Sequence, residues 1–159
     1  MEPENSQARK VQRELERLGC ESLVVELSGS ARSVEEAASS VGCEPGQIVK
    51  SMILRGERSG RSVLVAASGP NRVDEAKVGE LLGEPVARAT AEFVREKTGF
   101  AIGGVPPIAH REPPVVLVDP DLLEYEEVWA AAGTHNAVFG LPPDELVKIT
   151  GAEVAPVGS

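Results

Sequence analysis

Histidine, cysteine and aromatic residues are all scarce in this 159-residue chain, which has two His, two Cys, three Phe, one Tyr and one Trp. His110 and His135 alone cannot build a histidine-rich metal site, and no H-x-x-x-H, C-x-x-C or clustered carboxylate pattern supplements them. Cys20 and Cys43 are too few for a disulfide framework and lack metal-ligand spacing, so both are expected as free thiols in a reducing compartment. An aromatic content of 3% leaves few platforms on which bases could stack, and a net charge of −9 argues against a general DNA or RNA binder. Neither a G-x-S-x-G elbow nor a phosphate-binding P-loop is present. No run approaches the ~18 apolar residues of a membrane span. The opening MEPENSQARK is polar where a signal peptide would need an apolar stretch, so no membrane partner and a cytoplasmic location are expected.

What is present is enough apolar content, 42%, for one domain with a real core over residues 1–159. We expect its core to span about residues 20–155. Ala8, Val11, Leu15 and Leu18 recur at helical spacing before Gly19 and predict an amphipathic helix. LVVEL (residues 23–27) reads as a strand, and Ser33 with Glu36 has the spacing of a capping box opening a short helix that Gly42 closes. The runs IVKSMIL and SVLVAAS flank GERSG and predict a hairpin. Helices follow from about Asp74 and from Thr90, then a buried strand at PVVLV, an ambiguous EVWAAAG, a strand at AVFG and a last helix from Pro143 to Gly151. The irregular alternation predicts an α/β fold with a mixed, curved, barrel-like sheet surrounded by helices.

Two features stand apart from this regular pattern. Lys50 is the only cation within IVKSMIL, so it either points to solvent or reaches an anion in a cleft. TGFAIGGVPPIAH (residues 98–110) sets two glycines, which permit close backbone approach, against prolines that fix the chain, which predicts a shaped loop. Two basic groups, Arg9, Lys10, Arg13 and Arg17 on the first helix and Arg55, Arg58 and Arg61 near the hairpin turn, read as local basic faces or as solvated surface.

Taken in order, PGQIVKSMIL, SGPNRVD, TGFAIGGVPPIAH and AGTHNAVFGLPPDELVKITG resemble the YbaK/EbsC family, free-standing relatives of the editing domain of bacterial prolyl-tRNA synthetases, and within it the ProX-like branch. The resemblance spans about Ser33 to Gly151. It implies a trans-editing aminoacyl-tRNA deacylase that hydrolyses the ester at the acceptor end of a mischarged tRNA, typically tRNA(Pro), with prolyl-tRNA synthetase as a potential partner. The family's lysine falls on Lys50, holding the terminal phosphate or ribose, and its glycine loop on Gly103 and Gly104. The substrate surface it implies comprises Lys50, Ser51, Gly103, Gly104, Val105, Pro106 and Asn136, with Gly103 orienting the ester carbonyl and Gly104 supplying the turn. The resemblance implies neither protein nucleophile, metal nor cofactor, so a positioned water or a group of the substrate itself would attack. The chain departs from the cysteine-specific members at Val138, where they carry aspartate, so their substrate preference does not carry over. His110 reads as a pocket-edge base or as a structural histidine. A binding module for a tRNA end or aminoacyl-nucleotide, without turnover, is the alternative.

Overall fold

The computed structural model describes residues 2–159. Helix α1 (Ser6–Arg17) is opened by Asn5, whose side chain accepts the Gln7 and Ala8 N–H groups, and it buries the stripe Ala8, Val11 and Leu15. After β1 (Val24–Glu26), the capping box read from Ser33 and Glu36 is formed in full and opens α2 (Val34–Val41). The hairpin is likewise present as β2 (Val49–Gly56) and β3 (Ser62–Ser68). Glu84 fastens its turn, accepting the N–H groups of Arg58 and Ser59 and the Ser59 hydroxyl while pairing with Arg61 at 3.0 Å.

The chain continues through α3 (Glu75–Leu82), β4 (Val86–Arg88), α4 (Ala91–Thr98), β5 (Val115–Val118), β6 (Val128–Ala131), β7 (Ala137–Leu141), α5 (Pro143–Thr150) and β8 (Glu153–Val154). Single 3₁₀ turns precede β2 and follow β5. EVWAAAG resolves as strand, because Val128 and Ala130 are buried while Trp129 and Ala131 are only partly so, the two-residue period of a sheet.

The strands form two sheets and do not close into the barrel-like sheet expected from the sequence. A five-stranded sheet runs β4-β2-β3-β5-β8, antiparallel at β4/β2/β3 and parallel at β3/β5/β8; a three-stranded antiparallel sheet runs β1-β7-β6. Closure requires a continuous ladder, but among the described residues the two sheets are joined near the start of β2 by one isolated bridge, from Ile48 just before β2 to Trp129 of β6. Every residue of β3 is buried, as expected of a central strand. Its Leu64 and Ala66 face one core, shared with α1 and the small sheet's Val128, Ala130 and Phe139. Its Val63 and Val65 face another, shared with Val78 of α3 and Val86 of β4. The cleft described next opens between the start of β2 and the small sheet.

Candidate active site

Lys50 is the second residue of β2 and lies opposite Ala67 of β3. Its side chain is half-buried and its Nζ donates to the Asn71 carbonyl, in the loop that leaves β3. Burial pushes its pKa below that of an ordinary lysine; the nearby Arg72 and Arg88 guanidiniums add to this, and the Asp119 carboxylate opposes it. An ammonium has three donors, so one bond to Asn71 leaves others for an incoming anion.

The loop after α4 approaches from the other side. Thr98 is fully buried, its hydroxyl donating to the Val94 carbonyl at 2.7 Å and accepting the Phe100 N–H at 3.0 Å, which fixes the exit angle of the chain. Gly103 takes φ 99°, with no atom within 4 Å of where a Cβ would stand. Gly104 is the closely packed one: a Cβ there would lie 2.8 Å from Thr134 Cα and 2.9 Å from its backbone N and C. The Gly104 N–H donates to Ala101 O at 3.1 Å, and its carbonyl accepts the Gly133 N–H at 2.9 Å. The sequence-based assignment of the turn to Gly104 is therefore reversed, because the positive φ sits at Gly103 and the backbone contact at Gly104. Among the described residues the Gly103 N–H has no hydrogen-bond partner.

Two adjoining cavities of about 220 Å³ each share Lys50, Ser51, Ile102, Gly103 and Val105 as walls. The first extends to Ala31, Ala37, Trp129, Thr134, Ala137 and Val138. The second extends along Met52, Ile53, Ala89 and Val94 and carries Arg88 at its side. The Ser51 hydroxyl is buried and, among the described residues, unpartnered, so no base activates it.

Four of the residues expected at the site thus share one cleft: Lys50, Ser51, Gly103 and Val105. Gly104, Pro106 and Asn136 line neither cavity. Pro106 is buried and its carbonyl accepts the His110 Nε2–H at 2.6 Å, so His110 braces the loop from within. His110 lines a separate cavity with Glu14 and Arg17, burial pushes its pKa down, and His135 is exposed. Asn136 shapes the β6–β7 turn, accepting the Thr134 hydroxyl at 2.8 Å and the Leu27 N–H on its carbonyl at 2.6 Å; Thr134 is the residue of this turn that lines the cleft.

Arg32, Arg88 and Trp129 line the cleft without a sequence signal, since each is brought there by strand pairing or loop packing, and Arg72 acts on Lys50 from outside it. The basic groups read from sequence lie elsewhere: Arg17 pairs with Glu14 at 2.7 Å, Arg61 with Glu84, and Lys10 stands over the Phe100 ring at 4.8 Å. Among the described residues no group of three or more His, Cys, Asp or Glu could hold a metal ion, and no helix is long and apolar enough to cross a membrane.

A cation, a free backbone N–H and a small-walled pocket on one cleft suit an ester with an anionic neighbour. Residues 28–149 match the model of the aminoacyl-tRNA editing domain. A crystal structure described as a candidate trans-editing enzyme for prolyl-tRNA synthetase superposes with a TM-score of 0.93 at 49% identity, covering 99% of each chain. The uncharacterized protein YwhH of Bacillus subtilis is 32% identical over 131 residues, 82% of this chain and 83% of its own length. The proline–tRNA ligase of Bacillus licheniformis is 39% identical over 80 residues, half of this chain but only 14% of that larger protein. The chain belongs to the aminoacyl-tRNA editing-domain family, among its YbaK-type members, and is an aminoacyl-tRNA deacylase.

Proposed function

We propose that this deacylase works in trans on tRNA(Pro) that carries a wrong, small amino acid. The observation that carries the reading is the convergence of Lys50 and Gly103 on one cleft. The similarity to a candidate trans-editing enzyme for prolyl-tRNA synthetase supports the choice of tRNA. The first cavity, walled by Ala31, Ala37, Ala137 and Val138, receives the aminoacyl group. The second, with Arg88 beside it, receives the terminal nucleotide.

Lys50 holds the phosphate or ribose of that nucleotide, and the Gly103 N–H is free to orient the ester carbonyl. A positioned water, assisted by the neighbouring ribose hydroxyl of the substrate, attacks the carbonyl carbon, or the substrate's own side-chain thiol does so and leaves as a cyclic thioester that water then opens. The acyl–oxygen bond breaks, and a proton passes to the departing ribose oxygen. Positioning and electrostatic stabilisation carry the rate in place of a protein nucleophile.

The test is amino-acid release from tRNA(Pro) and unrelated tRNAs charged with alanine, cysteine, serine, threonine or proline. Small acids on tRNA(Pro) are expected to leave fastest and proline slowest, with steps of about 10–200-fold per methylene-sized difference. Release no faster than spontaneous hydrolysis for every charged tRNA would refute the reading.

A further inference from the structure

Asp119, which follows β5, is 3% exposed, and its carboxylate divides between the segment around Lys50 and the 3₁₀ turn that it caps. Its Oδ2 accepts the Ser68 N–H at 3.1 Å and the Asn71 side-chain amide at 2.8 Å, and its Oδ1 accepts the Asp121 N–H at 2.9 Å. The second hydrogen of the Asn71 amide goes to Asp121 Oδ2 at 2.7 Å. Asn71 is therefore gripped through its side chain while its carbonyl accepts from Lys50 Nζ.

The three N–H groups are shared between both carboxylate oxygens, and an asparagine would turn its own amide hydrogens toward one side of them. What the charge adds is its field on Lys50, which faces the two guanidiniums of Arg72 and Arg88 with Asp119 as the opposing anion. We propose that Asp119 is a positioning residue for deacylation: through Asn71, which its carboxylate grips together with that of Asp121, it holds the Lys50 ammonium at the cleft. The inference rests on the role given to Lys50 above.

The test is an NMR titration of the Lys50 side chain, its resonance identified by its loss in Lys50→Arg, in the parent and in Asp119→Asn. The midpoint is expected to fall further below the ordinary lysine range in Asp119→Asn, because the one opposing charge is gone. The alkaline limb of the deacylation rate, corrected for spontaneous hydrolysis, is expected to move to lower pH with it. In a Lys50→Arg background, where the cation cannot deprotonate, that limb is expected to disappear, and Asp119→Asn is expected to bring none back. An aspartate that served only to hold the loop would let Lys50 relax toward solvent in Asp119→Asn, and the midpoint would rise toward the ordinary lysine range. An unchanged or raised Lys50 midpoint in folded Asp119→Asn overturns the inference.

Should Asp119→Asn not fold, Asn71→Ala at the partly exposed loop carries the test. It keeps the carbonyl but frees it from both carboxylates, and a loss of about tenfold in kcat/KM is expected; parent-like kcat/KM overturns the inference. Parent-like deacylation by Lys50→Ala would instead overturn the reading of the site itself.

Discussion

One loop anchors the lysine at the edge of the cleft and another lines the cleft, and the two are held by opposite means. The loop after β3, residues 69–74, is fastened by polar groups: the Asp119 and Asp121 carboxylates grip Asn71, and the Asp74 N–H donates to Val157 of the C-terminal tail at 2.7 Å. The loop after α4, residues 99–110, is fastened by burial: Phe100, Val105, Pro106, Pro107 and Ile108 are all inside, and Gly104 lies against the Thr134 backbone. The first loop places a charge, and charges are placed by other charges. The second presents backbone, which is held by close packing. Substitutions in the packed loop should therefore show in stability, and those in the polar loop in pH and salt dependence.

Gly104→Ala is the most severe way to break the packed loop. Its methyl would meet the Thr134 backbone at 2.8 Å, and no flexible side-chain end can yield there. A loss of about 3 kcal/mol is expected, read as a Tm lower by roughly 6–12 °C; an unchanged Tm would mean the loop is not packed as described. Gly103→Ala sharpens the contrast, because the added methyl meets no protein atom within 4 Å although φ is 99°. Strain of about 1–2 kcal/mol is expected in melting. The methyl would stand where the ester must approach the loop, so deacylation should fall by about 10²-fold, beyond what the unfolded fraction explains.

How far the sequence carried this picture depended on how local each signal is. The capping box at Ser33 and Glu36, the GERSG hairpin and the helix-ending glycines act within a few residues, and all were legible. Strands β4 and β8, of three and two residues, were not, since they exist only by pairing with β2 and β5. Closure into a barrel was the wrong extrapolation because no sequence pattern reveals that the link to β6 is one isolated bridge from Ile48, just before β2. At the site, Lys50 stood out as a lone cation in an apolar run. Arg88 did not, because it reaches the cleft through β4, nor did Asp119, which reads as an ordinary turn residue. The two glycines were legible as a pair, but which one bends and which one packs depends on Thr134, thirty positions away.

Smaller effects separate the loops further. The cations that line the cleft are Arg32, Lys50 and Arg88. Binding of a tRNA acceptor end should therefore fall with salt at a log-log slope near −2, about 0.7 per single-strand phosphate. Arg88→Ala should remove about 0.7 of that slope, and a slope steeper than about −6 would mean a broad basic face. The smallest effect falls on His110. Its folded pKa lies below its unfolded value because it is buried, so above the unfolded pKa both states are neutral and stability is complete. As pH falls below the ordinary histidine range the unfolded chain takes up the proton first, so stability should decline toward acid. His110→Gln should flatten that decline in urea melts at pH 7 and pH 5; an unaltered slope would show that His110 is not buried as neutral imidazole.

The most direct test of the central claim compares single-turnover hydrolysis of alanyl-tRNA(Pro) by the parent and by Lys50→Ala, with melting curves of both. Lys50 lies at a half-buried strand position, and among the described residues its side chain hydrogen-bonds only the Asn71 carbonyl, so its truncation should leave the fold in place. The account requires an unchanged Tm and a rate lower by about 10²–10³-fold. A Lys50→Ala protein that hydrolyses the ester as fast as the parent would contradict it.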